Sequence, residues 1–278
     1  MTTINATDVN KLRQMTGAGM MDCKNALQET SGDFEKAIDY LRKKGQKVAA
    51  KRADRDANEG IVLSSISPDQ SYAAVVMVNC ETDFVGKTDE FRQFAKDILS
   101  LGIKNKPKTV DELKALKMGN HTISEKLNEM LAKTGEKIQI AHYESMESPI
   151  LFAYNHHGNR LATILGLNKK DAKNVAEIGH ELAMQVAAMS PIAVDKDDVT
   201  QNLIDREIEI GKEQARQEGK PEEILEKIAT GKLAKFFKDR TLLNQDFVRD
   251  TKKTVRQFIT ENDKDLKVTG FKRLMLGE

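Results

Sequence analysis

Residues 1–45 place apolar side chains at helical spacing, with two short glycine-containing breaks between them. The first segment repeats its apolar residues every three positions, after two residues that could cap a helix. These are Val9, Leu12 and Met15, after Thr7 and Asp8. The breaks TGAG (16–19) and Ser31-Gly32 separate two further helical patterns, and Asp33 can cap the last of them. The pattern predicts a compact three-helix module.

A basic zone follows at residues 42–59, with seven basic residues and almost no large apolar ones. Basic residues near the end of a helix interact favourably with its dipole. We therefore expect the zone to be partly helical and to serve as a basic linker over residues 46–59. Charge runs without interleaved aromatic residues are more often solvated connectors than nucleic-acid contacts. An RNA contact through this zone is the alternative.

From Gly60 onward the apolar spacing changes from helical to strand-like. The stretches GIVLSSI (60–66) and SYAAVVMV (71–78) flank a turn that contains Pro and Asp, which predicts a β-hairpin. Helical patterns follow at 89–101 and at 110–133, and KIQIAHYESM (137–146) is typical of another strand.

The same order of patterns occurs a second time. Two strand patterns surround a polar turn within 148–168, and a helical pattern follows at 172–189. The stretch YAAVVMVN in the first copy corresponds to RLATILGLN in the second. This repetition predicts a duplicated α+β core.

A charged helical region, residues 198–240, interrupts the second copy. The stretch EGKP (218–221) predicts a turn between two helices, with Pro221 at the first position of the second helix. Two helices joined by so short a turn form an antiparallel hairpin, which could project from the core. The helical pattern TVRQFITEND and a strand-like segment, LKVTGFKRLMLGE, complete the chain.

The predicted fold class is therefore α+β, divided into several segments. They are a three-helix module at 1–45, a basic linker at 46–59, core subdomain N at 60–146, core subdomain C at 147–197 and 241–263, a coiled-coil hairpin inserted at 198–240 and a C-terminal module at 264–278.

Composition narrows the class of protein. Of the 278 residues 39% are hydrophobic and 5% aromatic, with no Trp, which suits cores packed through Leu, Ile, Ala and Met. The chain has 44 Lys and Arg residues and 43 Asp and Glu residues. Its net charge therefore creates no overall electrostatic field that would attract nucleic acid or a membrane. Two distant cysteines and a polar N-terminus are typical of a cytoplasmic protein with free thiols, and no apolar run is long enough to span a membrane.

Catalytic and metal-binding signatures are missing from the sequence. There is no phosphate-binding GxxxxGK[ST] loop, no GxGxxG after a strand and no GxSxG elbow. The five histidines contain no pair at the i, i+4 spacing of a helical zinc site. Cys23 and Cys80 stand in apolar settings that favour small core residues over nucleophiles. We expect a binding or regulatory protein, not an enzyme.

One junction is unusual. The stretch NCETDFVGK (79–87) follows a strand pattern, and it places Phe84 beside Asp83 where the chain should reach the surface. Periodicity alone allows Phe84 to begin the next helix as a core residue. It equally allows Asp83 to be a simple helix N-cap and Met20 to be an ordinary core residue.

Two long motifs carry a family resemblance. TGAGMMDCKNAL (16–27), followed by SGDFEKAIDYLRKKG (31–45), closely resembles the N-terminal module of bacterial elongation factor Ts. NCETDFVGK resembles that family's other signature, whose core is TDFV. The resemblance implies a ubiquitin-associated-like three-helix module, a pair of related core subdomains, a protruding coiled-coil hairpin and a C-terminal module.

The resemblance also implies a function in translation. A member of this family is expected to be the guanine nucleotide exchange factor of elongation factor Tu, which it binds so that GDP leaves and GTP enters. Phe84 would insert between helices of that GTPase, and Asp83 would disturb the region around its Mg²⁺ site. Because the Mg²⁺ belongs to the partner, no metal ligand and no cofactor are expected in this chain.

The residues that the resemblance assigns to partner binding form three groups. They are Thr82, Asp83, Phe84 and Val85; Gly17, Ala18, Gly19, Met20 and Met21; and Gln185, where the family helix often carries His. The segment LLNQDFV (242–248) resembles a family QPFV segment, with Asp246 in place of Pro. The alternative hypothesis is a ubiquitin-associated-like or RNA-binding adaptor that acts through residues 1–55.

Overall fold

The computed structural model describes residues 4–52 and 54–278, with the side chains of 46–51 excepted. It shows a mixed fold of helices and small antiparallel sheets. Contacts divide the chain into two compact units. Unit 1 comprises Met1–Leu63, Val76–Glu144 and Leu274–Glu278, and unit 2 comprises Ser64–Val75 and Ser145–Arg273.

Three helices form the N-terminal part of unit 1: α1 (Ala6–Thr16), α2 (Met20–Glu29) and α3 (Phe34–Lys51). Their shared core contains apolar residues from each helix, with Ala18 of the loop between the first two. It comprises Val9, Leu12, Ala18, Cys23, Ala26, Leu27, Ala37 and Leu41. α3 extends to Lys51, so the first part of the basic zone is helical.

The sequence made three predictions about the caps and buried faces of these helices. Asn5, not Thr7 or Asp8, caps α1, because its side chain accepts a hydrogen bond from the Asp8 N–H at 2.7 Å. Met15, predicted on the buried face of α1, is exposed, whereas Ala18 from the following loop lies in the core. The prediction for α3 is confirmed, since Asp33 accepts from the Lys36 N–H at its start.

The first sheet has the order β1-β2-β5, formed by β1 (Glu59–Ile66), β2 (Tyr72–Cys80) and β5 (Gln139–Glu147). All residues of the central strand β2 are buried, which is typical of a strand that is covered on both faces. Two helices follow β2: the one-turn α4 (Asp83–Gly86) and the long α5 (Asp89–Asn105), capped by Thr88. The apolar stripe of α5 is buried as its spacing predicts, with Phe91 and Ile98 fully enclosed.

The predicted helix over 110–133 is wrong, because two helices and a small hairpin occupy that stretch. They are α6 (Val110–Ala115), β3 (Lys117–Met118), β4 (His121–Thr122) and α7 (Ile123–Thr134). Gly119 makes the tight turn possible with a φ of +67°. Thr122 then starts a new helix through a capping box with Glu125.

Unit 2 contains the second repeat. Strands β6 (Ile150–Asn155) and β7 (Leu161–Leu167) pair antiparallel, with Ile150 opposite Leu167. Helix α8 (Val175–Met189) packs on both strands. Gly179 permits this approach, because a Cβ there would lie 2.2 Å from the ring of Phe152.

Helices α9 (Gln201–Gln217) and α10 (Glu222–Arg240) are joined by residues 218–221 and pack against each other along their length. Gly211 and Ala229 allow close contact between them, and Lys212 bonds to Glu226 at 2.7 Å. Pro221 is the N-cap of α10, one position before the predicted one.

The elements that follow α10 are β8 (Asp246–Phe247), β9 (Asp250–Thr254), α11 (Val255–Asn262) and β10 (Val268–Met275), whose last two residues belong to unit 1. β10 joins the second sheet, whose order is β10-β7-β6. The central strands β2 and β7 therefore have the same neighbours in their sheets: each lies between the strand that precedes it in the chain and a later strand, β5 or β10. Each central strand is also followed in the chain by a helix. This shared order agrees with the predicted duplication.

Candidate functional site

The stretch that joins β2 to α4 leaves the core at Cys80, which is fully buried. Its S–H donates to the carbonyl oxygen of Thr82 at 3.1 Å. Burial raises the pKa of the Cys80 thiol to about 12, and the nearby carboxylates of Glu136 and Glu59 add to the rise. The thiol therefore stays protonated near neutral pH and anchors the turn, as expected for a core cysteine.

Thr82 is the N-cap of α4, since its hydroxyl oxygen accepts from the Val85 N–H at 3.5 Å. The alternative in which Asp83 caps the helix is therefore wrong, because Asp83 is the first helical residue. At the other end of α4, Gly86 is buried, and a Cβ there would lie 3.3 Å from the Cys80 sulfur. Gly86 thus fixes which face of α4 lies against the protein.

Phe84 lies on the opposite face of this turn and is 81% exposed, so the core alternative for Phe84 is wrong. Full burial of a Phe side chain contributes about 1.5–3 kcal/mol to stability. Because most of the Phe84 side chain is in contact with water, the unbound protein lacks most of that contribution. Val85, next to it, is partly buried. The turn therefore presents one large apolar side chain to solvent on a short, anchored helix.

Asp83 is paired beside Phe84. Its carboxylate accepts from the Lys87 ammonium at 2.6 Å, and that hydrogen bond lowers the pKa of Asp83. Both side chains are substantially exposed, so the pair contributes little stability. It leaves an ionised carboxylate next to the exposed ring.

The loop between α1 and α2 holds the second group of candidate residues. Gly17 ends α1 with a φ of +69°, and its N–H donates to the Arg13 carbonyl oxygen at 2.7 Å. Ala18 is buried in the three-helix core, and its carbonyl oxygen accepts a weak bond from the Cys23 thiol. Gly19 is the N-cap of α2 and lies at the surface.

Two methionines begin α2 at this loop. Met20 and Met21 are 59% and 63% exposed, so the core alternative for Met20 is wrong. Exposed thioether side chains adapt to partner surfaces because they are apolar and flexible. Ala18 anchors the loop from inside, and the methionines face solvent.

Lys133 of α7 connects this loop with the start of α5. Its ammonium donates to both carboxylate oxygens of Glu90, at 2.5 and 2.6 Å. Its side chain also lies against Gly17, where an added Cβ would be 3.0 Å from Lys133 Cδ. Unit 1 therefore brings the Gly17–Met21 loop close to the helix that follows the Phe84 turn.

Gln185 belongs to unit 2 and is only 1% exposed. Its amide nitrogen donates to the Gln245 side-chain oxygen at 3.2 Å and to the Asp246 carbonyl oxygen at 3.1 Å. Its amide oxygen accepts from the Val248 N–H at 2.9 Å. The Gln185 side chain is therefore enclosed by the 245–248 segment and is not at the surface of the free protein.

Val248, whose N–H donates to Gln185, was not among the residues assigned to partner binding. Val248 is 48% exposed, and it lines a cavity of about 260 Å³ together with Tyr154, Met184 and Arg249. Gln245, also missed, is buried and donates to the carbonyl oxygens of Met189 and Asp239. The likeness of 242–248 to a family motif was the signal that could have identified both residues.

Among residues 4–52 and 54–278, no group of His, Cys, Asp and Glu side chains has the arrangement of a metal site. Within the same ranges, no helix combines the length and apolar character needed to cross a membrane.

Comparison with known proteins identifies the family. The family model described as "Elongation factor TS" matches residues 81–278, which begin one residue before Thr82. The chain belongs to the elongation factor Ts family. Elongation factor Ts of Cytophaga hutchinsonii is 49% identical over 277 residues, which cover 99% of this chain and 100% of that protein. The elongation factor Ts proteins of Amoebophilus asiaticus and Flavobacterium psychrophilum are 47% and 46% identical, again over 99% or more of both chains.

These relatives extend the family assignment to the N-terminal helices, which the family model does not reach. Both motifs that carry the resemblance therefore lie within a chain that aligns end to end with elongation factor Ts proteins. The chain is a member of a family of translation elongation factors.

Proposed function

We propose that this chain is the guanine nucleotide exchange factor of elongation factor Tu, and that it inserts Phe84 into that GTPase near its nucleotide site. The observation that carries the proposal is the 81% exposure of Phe84 on an anchored one-turn helix. Family membership supports it, because the relatives are elongation factor Ts proteins over their whole length.

The mechanism needs no bond chemistry in this chain. An exchange factor binds the nucleotide-free partner more tightly than the nucleotide-bound partner, and by linkage it weakens nucleotide binding by the same factor. A rigidly held aromatic side chain suits this task, because the partner's site must deform to accommodate it. The ionised carboxylate of Asp83 beside the ring would repel the anionic phosphates and compete for the partner's Mg²⁺.

Two further surfaces of this chain would also contact the partner. In unit 1, Met20 and Met21 would dock on the nucleotide-binding domain, with Gly17, Ala18 and Gly19 shaping the loop. In unit 2, Val248 would make the contact that was assigned to Gln185, with Gln185 holding it in place through the Val248 N–H. Thr82 and Val85 would act by shaping the turn that carries Phe84.

Other features of the proposal follow from the family. The first three helices would be a ubiquitin-associated-like module, α9 and α10 a projecting antiparallel coiled-coil hairpin, and the chain would divide into the six segments predicted above. The protein would act in the cytoplasm, without enzymatic activity and without direct contact with nucleic acid. α3 packs on α7, where Gly45 lies close to Ala132, which favours a module that acts together with the core over a separate adaptor.

The test is the release of a fluorescent GDP analogue from elongation factor Tu, measured by stopped flow. Wild-type protein should accelerate release strongly, and no acceleration at micromolar concentration would reject the proposal. Phe84→Ala should slow the second-order rate of release at least about 30-fold, which corresponds to a hot-spot contact of about 2 kcal/mol.

The control separates contact from folding. Phe84 is exposed, so Phe84→Ala should change stability by less than about 0.5 kcal/mol. Ile224→Ala removes another exposed apolar side chain, 41% exposed, from α10, and it should leave the release rate within about twofold of wild type. Equal losses in both variants would indicate a general surface effect.

A further inference from the structure

Two carboxylates fasten the turn that carries Phe84 to the segment between α7 and β5. The Glu136 carboxylate accepts from both polar hydrogens of Thr82: from its N–H at 3.0 Å and from its hydroxyl at 2.6 Å. The two bonds use different oxygens of the carboxylate, so they fix its orientation as well as its position.

The second carboxylate acts in the reverse direction. Glu81, which precedes Thr82, accepts from the Lys137 N–H at 2.6 Å, and Lys137 follows Glu136. Arg52 donates to both oxygens of Glu81, at 2.8 and 3.0 Å. The Lys137 N–H holds the pKa of Glu81 below its usual value, and the Arg52 guanidinium adds to this against the effect of burial. Each segment thus supplies a carboxylate to a backbone N–H of the other.

This arrangement stands at the start of the helix that displays Phe84. Thr82 is the N-cap of α4, and the hydroxyl that donates to Glu136 also accepts from the Val85 N–H. A helix of one turn is not stable by itself, so its orientation depends on such outside bonds. Glu136 is the group that orients the capping hydroxyl.

We infer that Glu136 is a positioning residue for Phe84: by bonding both polar hydrogens of Thr82, it holds α4 in the single orientation from which the ring can enter the partner. This inference rests on the function proposed above. Glu136 touches neither the partner nor the nucleotide in this account, and acts through Thr82.

The physical effect is preorganisation. Without the Glu136 bonds, Thr82 and α4 would sample several orientations, and binding would have to restrict them at the cost of side-chain and loop entropy. The second-order rate of GDP release should then fall, because fewer molecules present the ring in the orientation that the partner accepts.

The chain provides a matched control in α7. Glu125 also bonds both polar hydrogens of a threonine N-cap: one of its carboxylate oxygens accepts from the Thr122 N–H at 2.6 Å and from the Thr122 hydroxyl at 3.0 Å. Glu125→Gln therefore makes the same change of charge beside a threonine N-cap, in a helix that does not carry Phe84. It should leave the release rate within about twofold of wild type.

The experiment compares four new variants with wild type and with Phe84→Ala in the stopped-flow release of a fluorescent GDP analogue from elongation factor Tu. Glu136→Gln and Thr82→Val should each slow the second-order rate about tenfold, corresponding to about 1.4 kcal/mol. The same two substitutions should speed hydrogen exchange at the Thr82 and Val85 amides in the free protein. Glu125→Gln should do neither. In the fourth variant, Phe84→Ala combined with Glu136→Gln, the second change should add less than about a twofold loss, because its effect passes through Phe84.

The outcomes separate this inference from the proposed function. If wild type does not accelerate release, the exchange function fails, and the amide exchange still tells whether Glu136 orders the turn. Suppose that wild type and Phe84→Ala behave as proposed. The positioning role is then overturned if Glu136→Gln releases GDP at the wild-type rate, or if it slows release equally with and without Phe84. Should Glu136→Gln fold poorly, Thr82→Val gives the same comparison.

Discussion

Replacing Gln185 by Met tests whether a buried amide holds the 245–248 segment in place. Met has a similar length and packs well in apolar surroundings, but it can neither donate nor accept the three hydrogen bonds of Gln185. The substitution leaves the Val248 N–H without its amide acceptor at 2.9 Å, and it removes a donor from the Asp246 carbonyl oxygen at 3.1 Å.

The expected cost follows from those bonds. A buried polar group left without a partner costs about 1–3 kcal/mol. The Gln245 amide nitrogen retains its bonds to Met189 and Asp239, but the Gln245 side-chain oxygen loses the donor that Gln185 supplies at 3.2 Å. We expect Gln185→Met to destabilise unit 2 by about 2–4 kcal/mol, which corresponds to a fall of about 5–10 °C in its unfolding midpoint.

Calorimetry and hydrogen exchange measure the two consequences. Scanning calorimetry gives the midpoint, and exchange at the Val248 amide reports the local loss. Thr163→Val is the control, because it removes one buried hydroxyl that donates to the Ala183 carbonyl oxygen of the same helix, at 2.9 Å. Its cost should be about 1 kcal/mol. A Gln185→Met variant that is no less stable than Thr163→Val, with unchanged Val248 exchange, would refute the reasoning.

Two further predictions concern the strand and the turn that precede Phe84. Gly60→Ala should lower the free energy of unfolding by about 3 kcal/mol or more, because the added Cβ would lie 2.1 Å from the Val78 carbonyl oxygen at a φ of +139°. Gly119→Ala is the control, because Gly119 has a φ of +67° and no atom within 4 Å of an added Cβ. It should lower the free energy of unfolding by only about 1 kcal/mol in the same calorimetric measurement. Equal costs would contradict the steric argument. The Cys80 thiol, with a pKa of about 12, should resist iodoacetamide at pH 8 in the native protein, because only about one thiol in ten thousand is ionised there, and it should react rapidly in urea. Rapid labelling of Cys80 in the native state would contradict its buried, protonated assignment.

Long periodic segments were predictable from sequence because their burial depends on local spacing. The α5 stripe and the largely apolar β2 are examples, and both lie where their patterns place them. Helix ends were less predictable. Several residues that can cap a helix occur together at the start of α1, and only the Asn5 side chain meets a free N–H at the right place.

The exposure of Phe84 could not be predicted from periodicity. A helix of one turn is too short to show a repeating pattern, and its orientation depends on Gly86 packing against Cys80 and Gly60. Gln185 presents the opposite case. The burial of Gln185 cannot be predicted from the apolar spacing of α8, because its hydrogen-bond partners lie in a segment some sixty positions later in the chain.

The two carboxylate bonds at the Phe84 turn join residues that are far apart in sequence, 54 positions for Glu136 with Thr82 and 56 for Lys137 with Glu81. Contacts of such separation form only after a long loop has closed, and loop closure makes them late and cooperative during folding. A growing chain on the ribosome cannot make either bond until Glu136 and Lys137 have emerged and α5, α6 and α7 have been built between the two ends. The ordered display of Phe84 is therefore a late product of folding, and an incomplete chain would present the same sequence motif without the geometry that engages a partner.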